Sequence, residues 1–172
     1  MHIRRERLAE MRPFLGGGDM IREVHKDAVT YADPPMKFEA GTPGIVQQIG
    51  LGVALDYMMG LGMEDIAAHE ATLTRYARKR LDGLNWLNVQ GNSASKGAIF
   101  SFTMSGAAHA HDISTILDKK GVAVRAGHHC AGPLMDHLGI AATCRASFGL
   151  YNTEAEVDAL VEALELAHDL FG

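Results

Sequence analysis

The 172-residue sequence has little cysteine and no excess of positive charge, and each shortage excludes a class of protein. Two cysteines cannot form the disulfide framework of a small secreted domain. A formal net charge of −5 argues against binding to a nucleic-acid backbone, which normally requires a basic face. Hydrophobic residues make up 47% of the chain, which is enough to build a sizeable core.

Long uninterrupted apolar segments are also missing. The most apolar window, residues 45–63, contains Gln47, Gln48 and Asp56, so it predicts a buried or amphipathic helix rather than a membrane span. The first residues, MHIRRERLAEMRP, are charged and lack the apolar centre of a secretory signal peptide. We therefore expect a cytoplasmic protein that binds neither nucleic acid nor membranes.

Caps, glycines and apolar stripes predict the order of the secondary structure. Thr42 as an N-cap and Pro43 as the first helical residue predict a helix over 43–60. The elements predicted after it are a helix at 64–82, strands at 86–90 and 97–104, a helix at 111–119, a strand at GVAV (121–124), a helix at 132–138, a strand at 144–150 and a final helix. Thr153 and Glu156 predict a capping box at the start of that final helix.

From about residue 64 onward, the order αββαβαβα predicts an α/β fold in which helices cover a small, mainly antiparallel sheet. Residues 1–60 have too few strands for a core of their own. We therefore predict two parts: residues 1–60 as the edge of a larger domain, and residues 61–172 as a small domain. The first part should expose apolar surface that other strands would normally cover.

The stretch VRAGHHCAGPLM (124–135) contains the most reactive combination of side chains. A thiol becomes nucleophilic when nearby positive charge or a helix N-terminus lowers its pKa from about 8.5. Arg125, His128 and His129 precede Cys130, and a predicted helix follows it. Local residues leave two interpretations open for Cys130, a nucleophile or a buried inert thiol. A metal site is disfavoured, because contiguous ligands do not have the paired spacing of zinc sites.

Two further segments are candidates for binding anions. Arg145 interrupts a short apolar strand, where its planar guanidinium suits a carboxylate ligand or an ion pair within the protein. EAGTP (39–43), with Gly41 and Thr42, leads into a helix N-terminus, which attracts phosphate. The alternative for Thr42 is that it only caps its own helix.

Five segments together resemble successive parts of the Suf-type (group II) cysteine desulfurases, and the similar selenocysteine lyases share much of the pattern. The segments are PFLGGGDMIREV, VTYADPPMKFEAGTPGIVQQIGLGVALDYM, GMEDIAAHE, VAVRAGHHCAGPLM and RASFGLYNTEAEVDALVEAL. This class-V aminotransferase-like family consists of homodimers with the fold-type I architecture of pyridoxal-phosphate (PLP) enzymes. The resemblance therefore implies the C-terminal part of that fold.

The resemblance also implies an activity and the residues that perform it. Members of the family take sulfur from L-cysteine, release L-alanine and hold the sulfur as a persulfide for iron–sulfur cluster assembly. Cys130 matches the cysteine that becomes the persulfide, and Arg145 matches the arginine that binds the substrate carboxylate. Arg125 and His129 match positions flanking the catalytic loop. Thr42, next to Gly41, matches a residue that reaches the phosphate of the partner subunit's PLP.

One departure from the family pattern limits what the chain can do. The family's Schiff-base lysine lies in a Ser-x-His-Lys-x-x-Gly-Pro-x-Gly type of segment upstream of FLGGG, and this sequence contains no such segment. We therefore expect the C-terminal portion of a cysteine desulfurase that retains Cys130 but is inactive alone. The alternatives are a selenocysteine lyase and a non-catalytic module for sulfur acceptance or dimerisation. The implied partners are L-cysteine, a sulfur-acceptor protein and a second copy of the chain.

Overall fold

The computed structural model describes residues 3–93, 95–106 and 109–171. The chain divides into two compact units, Met1–Gly60 and Leu61–Gly172.

The first unit contains a two-stranded sheet and little core. Its elements are helix α1 (Arg5–Glu10), strands β1 (Ile21–Val24) and β2 (Val29–Tyr31), a 3-10 helix (Met36–Phe38) and helix α2 (Ile45–Leu61). The strands pair antiparallel. Among the described residues of this unit only Met20 is fully buried.

Helix α2 carries apolar side chains around its whole circumference, yet none of its residues is buried. The large exposed apolar residues of this helix are Ile45, Val46, Ile49, Leu51, Val53, Leu55, Tyr57, Met59 and Leu61. A helix that is apolar all round normally lies inside a protein. The prediction that residues 1–60 expose apolar surface is confirmed.

The start of α2 differs from its prediction. The helix begins at Ile45, two residues after Pro43. The carbonyl of Gly44 accepts the first bond of the helical type, from the amide of Gln48 at 3.0 Å. Thr42 therefore lies outside the helix, and its predicted role as the N-cap is wrong.

The second unit is a four-stranded antiparallel sheet with helices. Its elements are α3 (Met63–Leu81), β3 (Leu87–Gln90), β4 (Ile99–Met104), α4 (Ala110–Lys119), β5 (Arg125–Gly127), α5 (Gly132–Leu138), β6 (Thr143–Ser147) and α6 (Glu154–Phe171). The strand order across the sheet is β3-β4-β6-β5, and every neighbouring pair is antiparallel. The predicted order αββαβαβα and the predicted fold class are confirmed.

The core of the second unit lies on one face of this sheet. Along β4 the burial alternates, so that Phe100, Phe102 and Met104 are buried and Ser101 and Thr103 are half-buried. The buried side chains of α3, α4 and α6 complete the same cluster, with Leu73, Leu81, Ile113, Leu117, Leu160 and Leu164 among them. The opposite face of the sheet carries polar groups.

Two strand predictions need correction. GVAV is not a strand: the amide of Val122 donates to the carbonyl of Leu117 at the end of α4, and pairing starts only at Arg125. The strand predicted over 144–150 runs over Thr143–Ser147. It stops because the chain turns at Gly149, whose amide donates to the Asn152 side chain at 2.8 Å.

One half of the predicted capping box is present at the start of α6. The Glu156 carboxylate accepts a hydrogen bond from the Thr153 amide at 2.8 Å. This bond is the main cause that lowers the pKa of Glu156 below its usual value. None of the helices in the described part of the chain is long and apolar enough to cross a membrane.

Candidate active site around Cys130 and Arg145

Four polar side chains form a row across the face of the four-stranded sheet that is opposite the core. The strand register pairs Gln90 with Ser101, Ser101 with Arg145, and Arg145 with Arg125. Residues that are directly opposite in neighbouring strands point to the same side of a sheet. The sheet therefore brings Arg125 and Arg145 together, although 19 residues separate them in the sequence.

This arginine pair has no acidic partner among the residues that the structure describes. Within residues 3–93, 95–106 and 109–171, no carboxylate lies within ion-pair distance of Arg125 or Arg145. The Nε of Arg145 is buried without a hydrogen-bond partner. Like charges that are directly opposite in a sheet are destabilising. The interpretation of Arg145 as half of an internal ion pair therefore finds no support here, and an external anion would offset the charge.

A cavity of about 430 Å³ lies beside Arg145, between the sheet and α5. Its polar wall includes Gln90, Ser101, His129, Thr143 and Arg145. Its apolar wall includes Ile99, Leu134, Met135 and Leu138. A concave site with a few convergent polar groups and an apolar wall is typical of sites for small molecules.

Cys130 lies on an exposed turn, two residues before α5. His129 and Cys130 both have left-handed backbone angles, with φ of 56° and 58°. Arg125 Nη2 donates to Cys130 Sγ at 3.6 Å. The structure thus places an accessible thiol against one of the two arginines.

His129 is held by the strand that carries Arg145. Its Nε2 lies 2.8 Å from Thr143 Oγ1 and 3.1 Å from the Thr143 carbonyl oxygen. A carbonyl oxygen only accepts, so the proton lies on Nε2, and Nδ1 is a buried acceptor without a partner. Burial lowers the pKa of His129 below 6.5, and the charges of Arg145 and Arg125 lower it further, against the opposing effect of the Thr143 bond.

We expect the free energy of unfolding to fall as the pH drops from about 6.5. Because the pKa of His129 is lower in the folded state, the unfolded chain binds more protons below that pH. Urea unfolding at pH 7.5 and 5.5 measures the loss. His129→Gln should reduce the difference in the free energy of unfolding between the two pH values. His137→Gln, at an exposed histidine, should leave that difference unchanged. Equal pH dependence in wild type and His129→Gln would contradict this assignment.

The second cysteine occupies a different environment. Cys144 is fully buried on the core face of β6, and its Sγ donates to the Ala110 carbonyl at 3.0 Å. Burial raises the pKa of this thiol to about 11. Cys144 is therefore a small core residue.

Gly41 and Thr42 belong to the first unit. Thr42 is exposed just before α2, and Gly41 has φ of +90°, a conformation that favours glycine. The Gly41 amide donates to the Gly18 carbonyl at 2.9 Å. A Cβ on Gly17 would lie 2.9 Å from the Ala40 carbonyl carbon, so the GGG turn needs glycine there to approach this segment. The geometry leaves the Thr42 hydroxyl accessible to an anion.

Known proteins were compared with the whole chain. The family model described as aminotransferase class-V matches residues 1–160. The chain belongs to the aminotransferase class-V family. Two relatives named probable cysteine desulfurase, from Streptomyces coelicolor and Halobacterium salinarum, are 51% and 52% identical to this class-V chain. The alignments cover 98% and 99% of the chain and 41% of each relative.

A solved structure also resembles the class-V chain. The crystal structure of the cysteine desulfurase CsdA from Escherichia coli matches with a TM-score of 0.89 and 36% identity. The match covers 98% of this chain and 42% of that one. The class-V chain thus spans about two fifths of the length of the relatives it matches.

Three residues of the site were not predicted from the sequence. Gln90 and Ser101 join the row with Arg145 only through strand register, which no local pattern reveals. Thr143 is 1% exposed. A polar residue inside the apolar strand TCRAS was the available signal, because such groups need a partner.

No cluster of three or more His, Cys, Asp or Glu side chains able to hold a metal ion occurs in the part of the chain that the structure describes.

Proposed function

We propose that this chain is the portion of a PLP-dependent, group II cysteine desulfurase that binds the carboxylate of L-cysteine and accepts its sulfur on Cys130. One observation supports this most strongly: two arginines lie side by side without an acidic partner among the described residues, and one of them contacts an exposed thiol. A carboxylate offsets such a pair, and a guanidinium recognises it through paired hydrogen bonds. Relatives named cysteine desulfurase cover nearly the whole chain.

In this proposal each residue has one role. Arg145, half-buried at the cavity, binds the substrate carboxylate with the help of Arg125. Cys130 receives the sulfur as a persulfide, and alanine is the other product. His129 holds the loop and stays neutral above about pH 6.5. A sulfur-acceptor protein and a second copy of the chain are the proposed partners.

PLP, the cofactor implied by the family, is matched here at one end only. The exposed Thr42 hydroxyl and the Gly41 turn suit its phosphate group. No lysine is among the residues that line the cavity beside Arg145. When bound, PLP supplies the electron sink for cleavage at carbon.

The function is tested by alanine release. Supplied with PLP, a reductant and L-cysteine, the chain alone should form no alanine above the blank. A version that adds the upstream residues of a relative should release alanine, and Cys130→Ser should abolish that release. Robust turnover by the chain alone would overturn the proposed incompetence. An extended version that consumes only selenocysteine would instead indicate a selenocysteine lyase.

A further inference from the structure

Two consecutive residues with left-handed backbone angles carry the thiol of Cys130. His129 and Cys130 have φ of 56° and 58°, and neither is glycine. Non-glycine residues pay a cost in this region, and they stay there only where their surroundings impose the conformation. Cys130 itself is exposed, and its sulfur accepts a hydrogen bond from the exposed side chain of Arg125. A backbone hydrogen bond from the Ala131 amide to the His128 carbonyl, at 3.0 Å, closes the turn, but it does not fix the position of the turn relative to the sheet.

The His129 side chain fixes that position by connecting the turn to the sheet. Its ring reaches from the turn to β6, where Nε2 lies 2.8 Å from Thr143 Oγ1 and 3.1 Å from the Thr143 carbonyl oxygen. Thr143 is 1% exposed, and it precedes Cys144 and Arg145 on the same strand. Within the described residues, the Thr143 hydroxyl has a side-chain hydrogen bond with His129. The contact therefore ties the turn to the strand that carries Arg145.

We propose that Thr143 is a positioning residue that acts through His129 to hold the Cys130 thiol against the arginine pair. The turn then presents the sulfur beside Arg125, with the carboxylate-binding Arg145 on the neighbouring strand. The functional importance of this arrangement rests on the proposed role of Cys130 as sulfur acceptor. The positional effect itself does not depend on that role, so it can be measured without catalysis.

The ratio of two alkylation rates reports the position of the thiol. Iodoacetate carries a carboxylate and iodoacetamide is neutral, while both attack the same thiolate. The ratio of their rates at Cys130 therefore cancels the thiolate fraction and reports the positive charge near the sulfur. In water, one unit charge at about 4 Å corresponds to about a fivefold change in such a rate. Peptide mass spectrometry assigns the label to Cys130.

Thr143→Val removes the hydroxyl and keeps the branched shape. We expect the iodoacetate-to-iodoacetamide ratio at Cys130, measured at pH 8 and low salt, to fall by about two- to fivefold. Thr143→Ser restores a hydroxyl and should restore the wild-type ratio. Thr103→Val makes the same change on β4, outside the turn, and should leave the ratio unchanged. An unaltered ratio in folded Thr143→Val, or no rescue by Thr143→Ser, would overturn the proposal.

A second variant covers the case in which Thr143→Val does not fold. His129→Leu removes the contacts to both the hydroxyl and the carbonyl of Thr143, and it should lower the ratio by at least the same factor. If both single variants fold, the double variant should have the ratio of His129→Leu, because that change already removes the contact to the Thr143 hydroxyl. Multiplying effects would contradict the proposed coupling. Failure of Cys130 to accept sulfur would count against the function, not against this positional effect.

Discussion

Replacing Cys130 with serine is expected to abolish rapid alkylation of the chain by iodoacetamide. The remaining thiol, Cys144, is fully buried and has a pKa raised to about 11. At pH 8 only about one thousandth of such a thiol is ionised, and the thiolate is the reactive form. Cys144 in the Cys130→Ser variant should therefore react at least ~100-fold more slowly than Cys130 does in the wild type. Alkylation quenched at successive times, followed by peptide mass spectrometry, measures both rates.

The matched control is Cys144→Ser. It removes the buried thiol, so the fast reaction at Cys130 should persist with its rate changed by less than about twofold, provided that the variant folds. Circular dichroism checks the fold. A rate of alkylation at Cys144 within tenfold of the rate at Cys130 would show that the second cysteine is accessible, which would contradict its buried environment.

The second large effect concerns the arginine pair. Arg125→Gln should lower the iodoacetate-to-iodoacetamide ratio at Cys130 by about fivefold, Arg145→Gln should lower it by a smaller factor, and the double variant should lower it further than either. The physical reason is the loss of positive charge near the thiol, since no carboxylate of the described residues lies within ion-pair distance of either arginine. Arg75→Gln, an exposed arginine on α3, should keep the wild-type ratio.

The Arg125→Gln variant should gain stability although its alkylation ratio falls. Removing one of two facing like charges should raise the free energy of unfolding by about 0.2–1 kcal/mol at low salt. The gain should largely vanish near 1 M salt, where the screening length is about 3 Å. A variant that loses selectivity for the carboxylate reagent while gaining stability cannot be explained as misfolded. Loss of both selectivity and stability would contradict the account of an uncompensated pair.

Element type and order in the second unit could be predicted because local chemistry marks them. The apolar stripe of α3, the alternation along β4 and the Thr153–Glu156 capping box each follow from residues within one or two turns. Strand limits were less predictable, because pairing decides them. GVAV has strand-like composition, but the partner strand β6 pairs with Arg125–Gly127 instead.

The candidate site was predictable only in its separate residues. Cys130 and Arg145 stand out by their neighbours in the sequence, and the family resemblance assigns them roles. Their relation depends on strand register, which brings Arg125 opposite Arg145. The contact between His129 and Thr143 joins two segments across β5 and β6, so no periodicity or cap could reveal it. Long-range contacts of this kind require the folded sheet.

Sulfur loading of Cys130 tests the central claim most directly. The wild-type chain is incubated with a separate, active cysteine desulfurase and L-cysteine, and then analysed by intact and peptide mass spectrometry without reductant. We predict a mass increase of one sulfur atom on the Cys130 peptide, and none on the Cys144 peptide. A chain that stays unmodified, or that carries the sulfur on Cys144 instead, would contradict the proposal that Cys130 is the sulfur acceptor.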